Sequence, residues 1–273
     1  MNSRGKIGVF DSGFGGLHVL QSVVQTLPQY EYIFLGDNAR APYGTRSSEI
    51  IHQFTEDAVR FLLDQGCELV VLACNTVSCD ALRMIQQTVL PQIAPQKRVL
   101  GVLIPAAEVA AEVTQNGRVG VMATALTVSS GAFIREIHRI NPQIQVIQQA
   151  CPLLVPIVEE GAYPNPGCTY FLHTYLKPLL DQDIDTLILG STHYGLLASE
   201  IRKLVGPRVH VVSQAELVPA KIQQYLAAHP EMETRLTQSG GVTFFSSDLT
   251  QKVATLGSTF FGRPIEVKVW SIA

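Results

Sequence analysis

The sequence predicts an α/β protein built on mainly parallel sheets, and three observations carry that expectation. Short β-rich runs alternate with stretches of helical periodicity along the chain. Most of the runs are apolar throughout rather than alternating, which suits strands covered on both faces. The chain also repeats itself: "KIGVFDSG" from Lys6 resembles "RVGVMATA" from Arg118, and "ELVVLACNT" resembles "DTLILGSTH". The two pairs occur in the same order at nearly the same displacement. That favours two similar halves over chance likeness between buried strands.

The strands expected in order are "KIGVF", "YIFLGD", "ELVVLA", "RVLGVLI", "RVGVMA", "TLILG" and "VHVV". Between the second and third, Ser48–Gly66 places Ile50, Phe54, Ala58, Phe61 and Leu62 on one helical face, and Gly66 is a natural stop. Ala215–Ala228 repeats the type. "DSGFGG" at 11–16 fits neither a dinucleotide fingerprint nor a P-loop, and no lysine follows; it reads as a tight strand-to-helix turn with Asp11 and Ser12 at its tip. "APYGTRS" at 41–47 is a Pro/Gly loop.

At 273 residues, 47% hydrophobic and 16% charged, the chain can build a substantial core. A formal net charge of −3 without basic blocks argues against nucleic acid or an anionic membrane as partner. The first strand begins almost at once, leaving no stretch for a secretory signal, and no apolar run approaches the roughly 20 residues that span a bilayer. Five cysteines without CxxC spacing read as free thiols, and a cytoplasmic protein is expected.

In open parallel sheets ligands bind beyond the carboxyl ends of strands. Asp11, Cys74, Thr124 and Ser191 all fall at such ends. Cys74, in "ACNT", precedes a helix start, where the dipole and nearby N–H groups favour thiolate, and Asn75 and Thr76 add donors. Cys67, Cys79, Cys151 and Cys168 lack that context. Asp11 is read equally as a functional carboxylate or a helix cap. His193, two residues after Ser191, and Glu159, before Gly161, would by themselves be a structural histidine and a solvated helix end. No lysine lies in these motifs to form a pyridoxal Schiff base, and no HExxH or Cys/His cluster is present. The expected site is free of cofactor and metal.

Taken together, "GVFDSGFGG", "PYGTR", "LACNT", "ACPLLVPIVEEG" and "LGSTHY" resemble the glutamate racemases, the cofactor-independent branch of the aspartate/glutamate racemase superfamily. The motifs run from Gly8 to Tyr194, so the resemblance covers essentially the whole chain. It implies two similar α/β domains with glutamate between them, the second inserted in the first: 1–98 plus 214–273, and 99–213. It also implies one proton-transferring residue from each half, working on opposite faces of the α-carbon. Cys74 matches the first. Asp11 and His193 would assist the two sites, and Glu159 would orient His193. Ser12, Tyr43, Gly44, Asn75, Thr76 and Thr192 would hold the substrate, with Thr124 a further contact. A homodimer and a role in supplying D-glutamate for peptidoglycan are implied in the same way.

One word differs. The family usually reads GCTHYP where this chain reads "GSTHYG", so Ser191 replaces the second cysteine and Gly195 replaces a proline. A thiol titrates near pH ~8.5, whereas a serine hydroxyl is a far weaker acid. Three readings are open: an engineered trap, a slow racemase in which His193 takes over on that face, or a protein that kept binding or one-faced exchange without net turnover. The functional alternatives are an aspartate racemase or other superfamily member, and a racemase-derived binding or regulatory protein.

Overall fold

The computed structural model describes residues 5–272. Two all-parallel sheets form its frame. The strands are β1 (Lys6–Asp11), β2 (Tyr32–Gly36), β3 (Cys67–Leu72), β4 (Arg98–Gly101), β5 (Arg118–Ala123), β6 (Gln145–Ala150), β7 (Thr186–Gly190), β8 (His210–Ser213), β9 (Val242–Ser246) and β10 (Val267–Val269). The first sheet has the order β10-β9-β2-β1-β3-β4 and the second β6-β5-β7-β8. Four strands of the first repeat the second: β2-β1-β3-β4 corresponds to β6-β5-β7-β8, with β9 and β10 added on one edge. The duplication read from the sequence is therefore present in the topology. It sets Cys74, after β3, at a position equivalent to that of Ser191, after β7.

All seven strands expected from the sequence are present. "RVLGVLI" is shorter than expected, because the strand ends at Gly101 and a helix, Leu103–Val113, begins two residues later. Pro105 lies in its first turn, where a missing N–H breaks no helical bond. β6, β9 and β10 were not expected. β6 reads "QVIQQA" and lies at a sheet edge with only partial burial, so it carries no apolar run.

Helix α1 (Gly16–Thr26) buries Leu17, Val19, Leu20 and Val23. Helix α2 (Ser48–Asp64) corrects one face of the sequence reading: Ile50 is exposed, and Ile51, Thr55, Ala58, Val59, Leu62 and Leu63 form the buried stripe. Ala58 and Leu62 belong to both readings, and the stripe is simply rotated by one position. The six-residue helix α3 (Asn75–Asp80) follows Cys74.

The chain leaves the first sheet after β4 through the helix Leu103–Val113. It returns after β8 through the helix Gln214–Ala228. One continuous apolar cluster includes Val9 and Leu69 of the first sheet with Met122 and Leu187 of the second, so the core runs through both. Among the described residues, no helix is long and apolar enough to cross a membrane.

Candidate active site

Because every strand is parallel, all carboxyl ends of each sheet point the same way, and the loops that follow gather the polar residues. Asp11 closes β1 and is 1% exposed. Its Oδ1 accepts the Gly13 N–H at 2.8 Å, which forms the tight turn expected from "DSGFGG". Its Oδ2 accepts the Thr192 hydroxyl at 3.3 Å, joining the end of β1 to the loop after β7. The helix-cap alternative fails, since the N-cap of α1 is Gly15 and no side chain caps it. Burial raises the Asp11 pKa above the ordinary carboxylate range, although a charged His193 works in the other direction.

Cys74 precedes α3, and its Sγ lies 3.3 Å from the Ser12 hydroxyl. Here the sequence reading is overturned. Instead of favouring thiolate, the site pushes the thiol up to about 12, chiefly by burial and then by the Asp11 charge. Hydrogen bonds from Ser12 and the Val77 N–H oppose this but do not outweigh it. A six-residue helix contributes a small dipole, and a side chain only 6% exposed has lost most of its hydration.

Ser191 directly follows β7 in extended conformation and precedes a 3-10 turn, Thr192–Leu197, without capping it through its side chain. His193 follows within that turn, and its Nε2 lies 3.0 Å from Glu159 Oε1. The ring also meets Phe260 edge-on, with centroids 5.4 Å apart. Gly15 permits this arrangement: a Cβ there would fall 2.7 Å from His193 Nδ1. Burial and the Glu159 contact make His193 an interior, partnered histidine rather than a surface one.

The remaining candidates divide into two groups. Thr76 and Thr124 place their hydroxyls 3.2 Å apart, so α3 and the end of β5 touch. Gly44 lies against Thr124, with 3.4 Å between its would-be Cβ and that threonine's Cβ. Asn75 is 2% exposed; its Oδ1 accepts a hydrogen bond, while its Nδ2 has no partner in the structure. These residues gather between the sheets. Tyr43 differs. Its hydroxyl donates to Asp37 at 2.5 Å and its ring is buried, so the hydroxyl faces away from a ligand role. Burial and the Asp37 charge raise its pKa. What the Tyr43–Thr45 turn offers is backbone N–H groups, which the first turn of a helix leaves without internal acceptors.

Sequence reasoning did not find Asp37, Phe260 or Gln214. Asp37 is fully buried and accepts from Tyr43, Arg40 and Ser247, at 2.5, 2.6 and 2.6 Å. Gln214 stands directly after β8, so the strand-end rule that selected Cys74 and Ser191 would have selected it too. Among the described residues, no three His, Cys, Asp or Glu side chains are grouped to hold a metal ion.

Two duplicated parallel sheets with a thiol, a carboxylate and an imidazole at their facing ends define an α/β enzyme of the racemase type. The chain belongs to the Asp/Glu/Hydantoin racemase family, whose model matches residues 7–218. Its relatives narrow the class. The glutamate racemase of Geobacter metallireducens is 40% identical over 257 residues, covering 94% of this chain and 92% of that protein. A glutamate racemase of Bacillus anthracis superposes with a TM-score of 0.90 at 32% identity, over 99% of this chain and 98% of that one. The Francisella tularensis glutamate racemase, solved in complex with D-glutamate, gives 0.87 at 30% identity, over 100% and 98%.

Proposed function

We propose that the protein is a glutamate racemase, an isomerase that interconverts L- and D-glutamate by cofactor-independent proton transfer and supplies D-glutamate for peptidoglycan in the bacterial cytoplasm. The observation that carries this reading is the equivalence of Cys74 and Ser191. Each follows the third strand of a duplicated four-strand unit, and the end of β1 touches both: Asp11 accepts from Thr192, and the Ser12 hydroxyl lies 3.3 Å from the Cys74 sulfur. The resemblance of the chain to glutamate racemases along its full length supports glutamate as substrate. We further read the chain as two units, one per sheet, but the 98/99 boundary expected from the sequence cuts β4, which pairs with β3 in the first sheet as far as Gly101; the units are then 1–101 with 214–273, and 102–213. A homodimer is the expected assembly.

Racemisation without a cofactor needs one group to remove the α-proton and another, opposite, to return one. Cys74 is the group for one face. Burial keeps its thiol protonated, so the thiol must give up its own proton before it can take the α-proton of the substrate. The substrate's ammonium group brings the positive charge that favours thiolate, and Ser12 donates to the sulfur. Asp11, whose own affinity for a proton is raised, is the neighbouring acceptor. The Asn75 Nδ2, the hydroxyls of Thr76, Thr124 and Thr192, and the backbone N–H groups of Tyr43 and Gly44 would meet the two carboxylates. Together they form an anion site without lysine or arginine.

On the other face stands a hydroxyl. Ser191 is a poor base at neutral pH, and loss of a positioned base costs on the order of 10²–10⁴-fold. Cys74 therefore exchanges the α-proton of D-glutamate, while deprotonation of L-glutamate is slow unless His193, held by Glu159, replaces it. The test is α-proton exchange of each enantiomer separately in D₂O, followed by NMR with chirality analysis. Exchange of D-glutamate well ahead of L-glutamate is expected. Exchange of neither, under conditions where glutamate binds, would remove the enzymatic reading in favour of a binding protein.

A further inference from the structure

Both crossings between the two sheets are hydrogen-bonded to the same short helix, α3, whose start carries Cys74 and Asn75. At the first crossing, the Val102 N–H donates to Ser78 Oγ at 3.3 Å, and Ser78 Oγ donates to the Leu72 carbonyl at 2.8 Å. At the second, Gln214 Nε2 donates to Asn75 Oδ1 at 2.9 Å. Gln214 and Asn75 are each 2% exposed. The arrangement is symmetric in the duplicated frame, since Val102 follows β4 and Gln214 follows β8. The second contact has a chemical consequence that the first lacks.

A primary amide has one acceptor oxygen and one nitrogen carrying two donors, and rotating it by half a turn exchanges them. Gln214 donates to the oxygen of Asn75, which fixes that rotation. The Asn75 Nδ2 is then directed elsewhere, and it is the atom left buried without a partner. An unpaired buried N–H₂ is costly, so the structure marks a place for an acceptor.

We infer that Gln214 is a positioning residue for the reaction, holding the Asn75 amide so that its N–H₂ faces a carboxylate of the substrate. This rests on the reading of the site as a glutamate racemase. Gln214 itself does not touch the reacting atoms. It lies where the chain returns from the second sheet, so a change in how the sheets meet acts directly on a substrate contact.

The test compares Gln214→Glu with Gln214→Met, using KM and kcat for D-glutamate from α-proton exchange, together with Tm. The introduced carboxylate can only accept, so Asn75 turns its nitrogen toward position 214 and presents its oxygen to the substrate carboxylate. Loss of a hydrogen bond to a charged group then raises KM roughly 10- to 150-fold, with kcat within about threefold. The methionine variant leaves Asn75 free to choose, and its KM rises less than about tenfold. A merely structural role would lower Tm and raise KM similarly in both variants, and that result overturns the inference, as does an unchanged KM in both.

Should the buried carboxylate prevent folding, the wild-type protein provides a second measurement. The Asn75 side-chain amide resonance, assigned by its loss in Asn75→Asp, shifts on saturation with D-glutamate if the nitrogen meets the ligand. Its failure to shift overturns the inference. Wild-type protein that neither binds nor exchanges glutamate refutes the functional reading instead. Normal turnover with indifferent position-214 variants refutes only the role of Gln214.

Discussion

Replacing Ser191 with cysteine should restore the second proton-transfer group, and its effect can be bounded from the structure. Ser191 is 6% exposed, holds an ordinary extended backbone (φ −146°, ψ 139°) and makes no side-chain cap. Exchanging Oγ for Sγ therefore sacrifices no capping bond and needs only the slightly larger radius to fit. Suppose the new thiol is pushed up as far as Cys74, to about 12. An aliphatic hydroxyl, close to water in acidity, is a weaker acid still, so the thiol remains ahead in the fraction ionised. Only part of that lead reaches the rate, because a less basic group also pulls less strongly on the proton. A gain of 10²–10⁴-fold in L-glutamate deprotonation is therefore expected. Proton exchange of L-glutamate in D₂O by NMR measures it, and circular dichroism of the product reports inversion. D-glutamate exchange should change little, since Cys74 is untouched. A Ser191→Cys enzyme within threefold of wild type on L-glutamate would mean that the hydroxyl was never the limiting group. Wild type exchanging both enantiomers equally would mean that another residue already serves that face.

If His193 is that residue, His193→Asn removes whatever L-glutamate exchange the wild type has, and Glu159→Gln lowers it by a smaller factor through the lost 3.0 Å contact; steady-state exchange rates compare the two. For Cys74, the pKa of about 12 predicts that kcat/KM for D-glutamate keeps rising through pH 9. A plateau below pH 8 would contradict the burial argument. Asp185 offers a stability test with a defined sign. Burial works against its charge, but hydrogen bonds from Thr114, Asn116, Gln115 and Thr186 outweigh it and hold the carboxyl below its ordinary value. A depressed folded pKa stabilises above the unfolded value of ~3.9 and is lost as pH falls through the folded one. The Tm gap between wild type and Asp185→Asn should thus be open at pH 7 and narrow steadily below about pH 4. Finally, Gly195→Ala should cost about 1–3 kcal/mol in urea unfolding, because its Cβ would fall 2.6 Å from the half-buried His18 ring. His18→Ala in the same chain should relieve most of that cost.

How much of this was legible in the sequence depended on whether a feature is local. Strands buried on both faces announce themselves as apolar runs, and all seven such runs were readable. Edge strand β6 was not, because Gln145, Gln148 and Gln149 break the pattern and partial burial tolerates them. The strand-end rule located Asp11, Cys74, Thr124 and Ser191, since parallel topology fixes where such ends point. It passed over Gln214, which has no motif around it and gains its role only from a hydrogen bond to a residue 139 positions away. The titration of Cys74 was misread for a related reason. A helix start is visible in sequence, whereas the depth of burial that opposes it is a property of the assembled core. Gly195 was visible only as a departure from the family's proline. Its reason lies on another element: a histidine at position 18 of α1 occupies the space that any Cβ at 195 would need.

That last pair bears on how Ser191 should be understood. A single cysteine-to-serine change in an otherwise ordinary loop would stand alone, with its neighbours still shaped for the family pattern. Here the loop after β7 departs from the family's usual pattern at two positions, and at the second the His18 ring of α1 stands 2.6 Å from where a Cβ would fall. The duplicated frame sets Cys74 and Ser191 after equivalent strands, β3 and β7. What distinguishes them is chemistry: a buried thiol beside Ser12 on one side, a hydroxyl with an imidazole two residues away on the other. Since Asp11 bonds to Thr192, the carboxylate nearest the first face is also attached to the second. Loss of proton-transfer power at Ser191 therefore leaves the first face structurally intact, and the asymmetry expected between the enantiomers is one of rate rather than of binding.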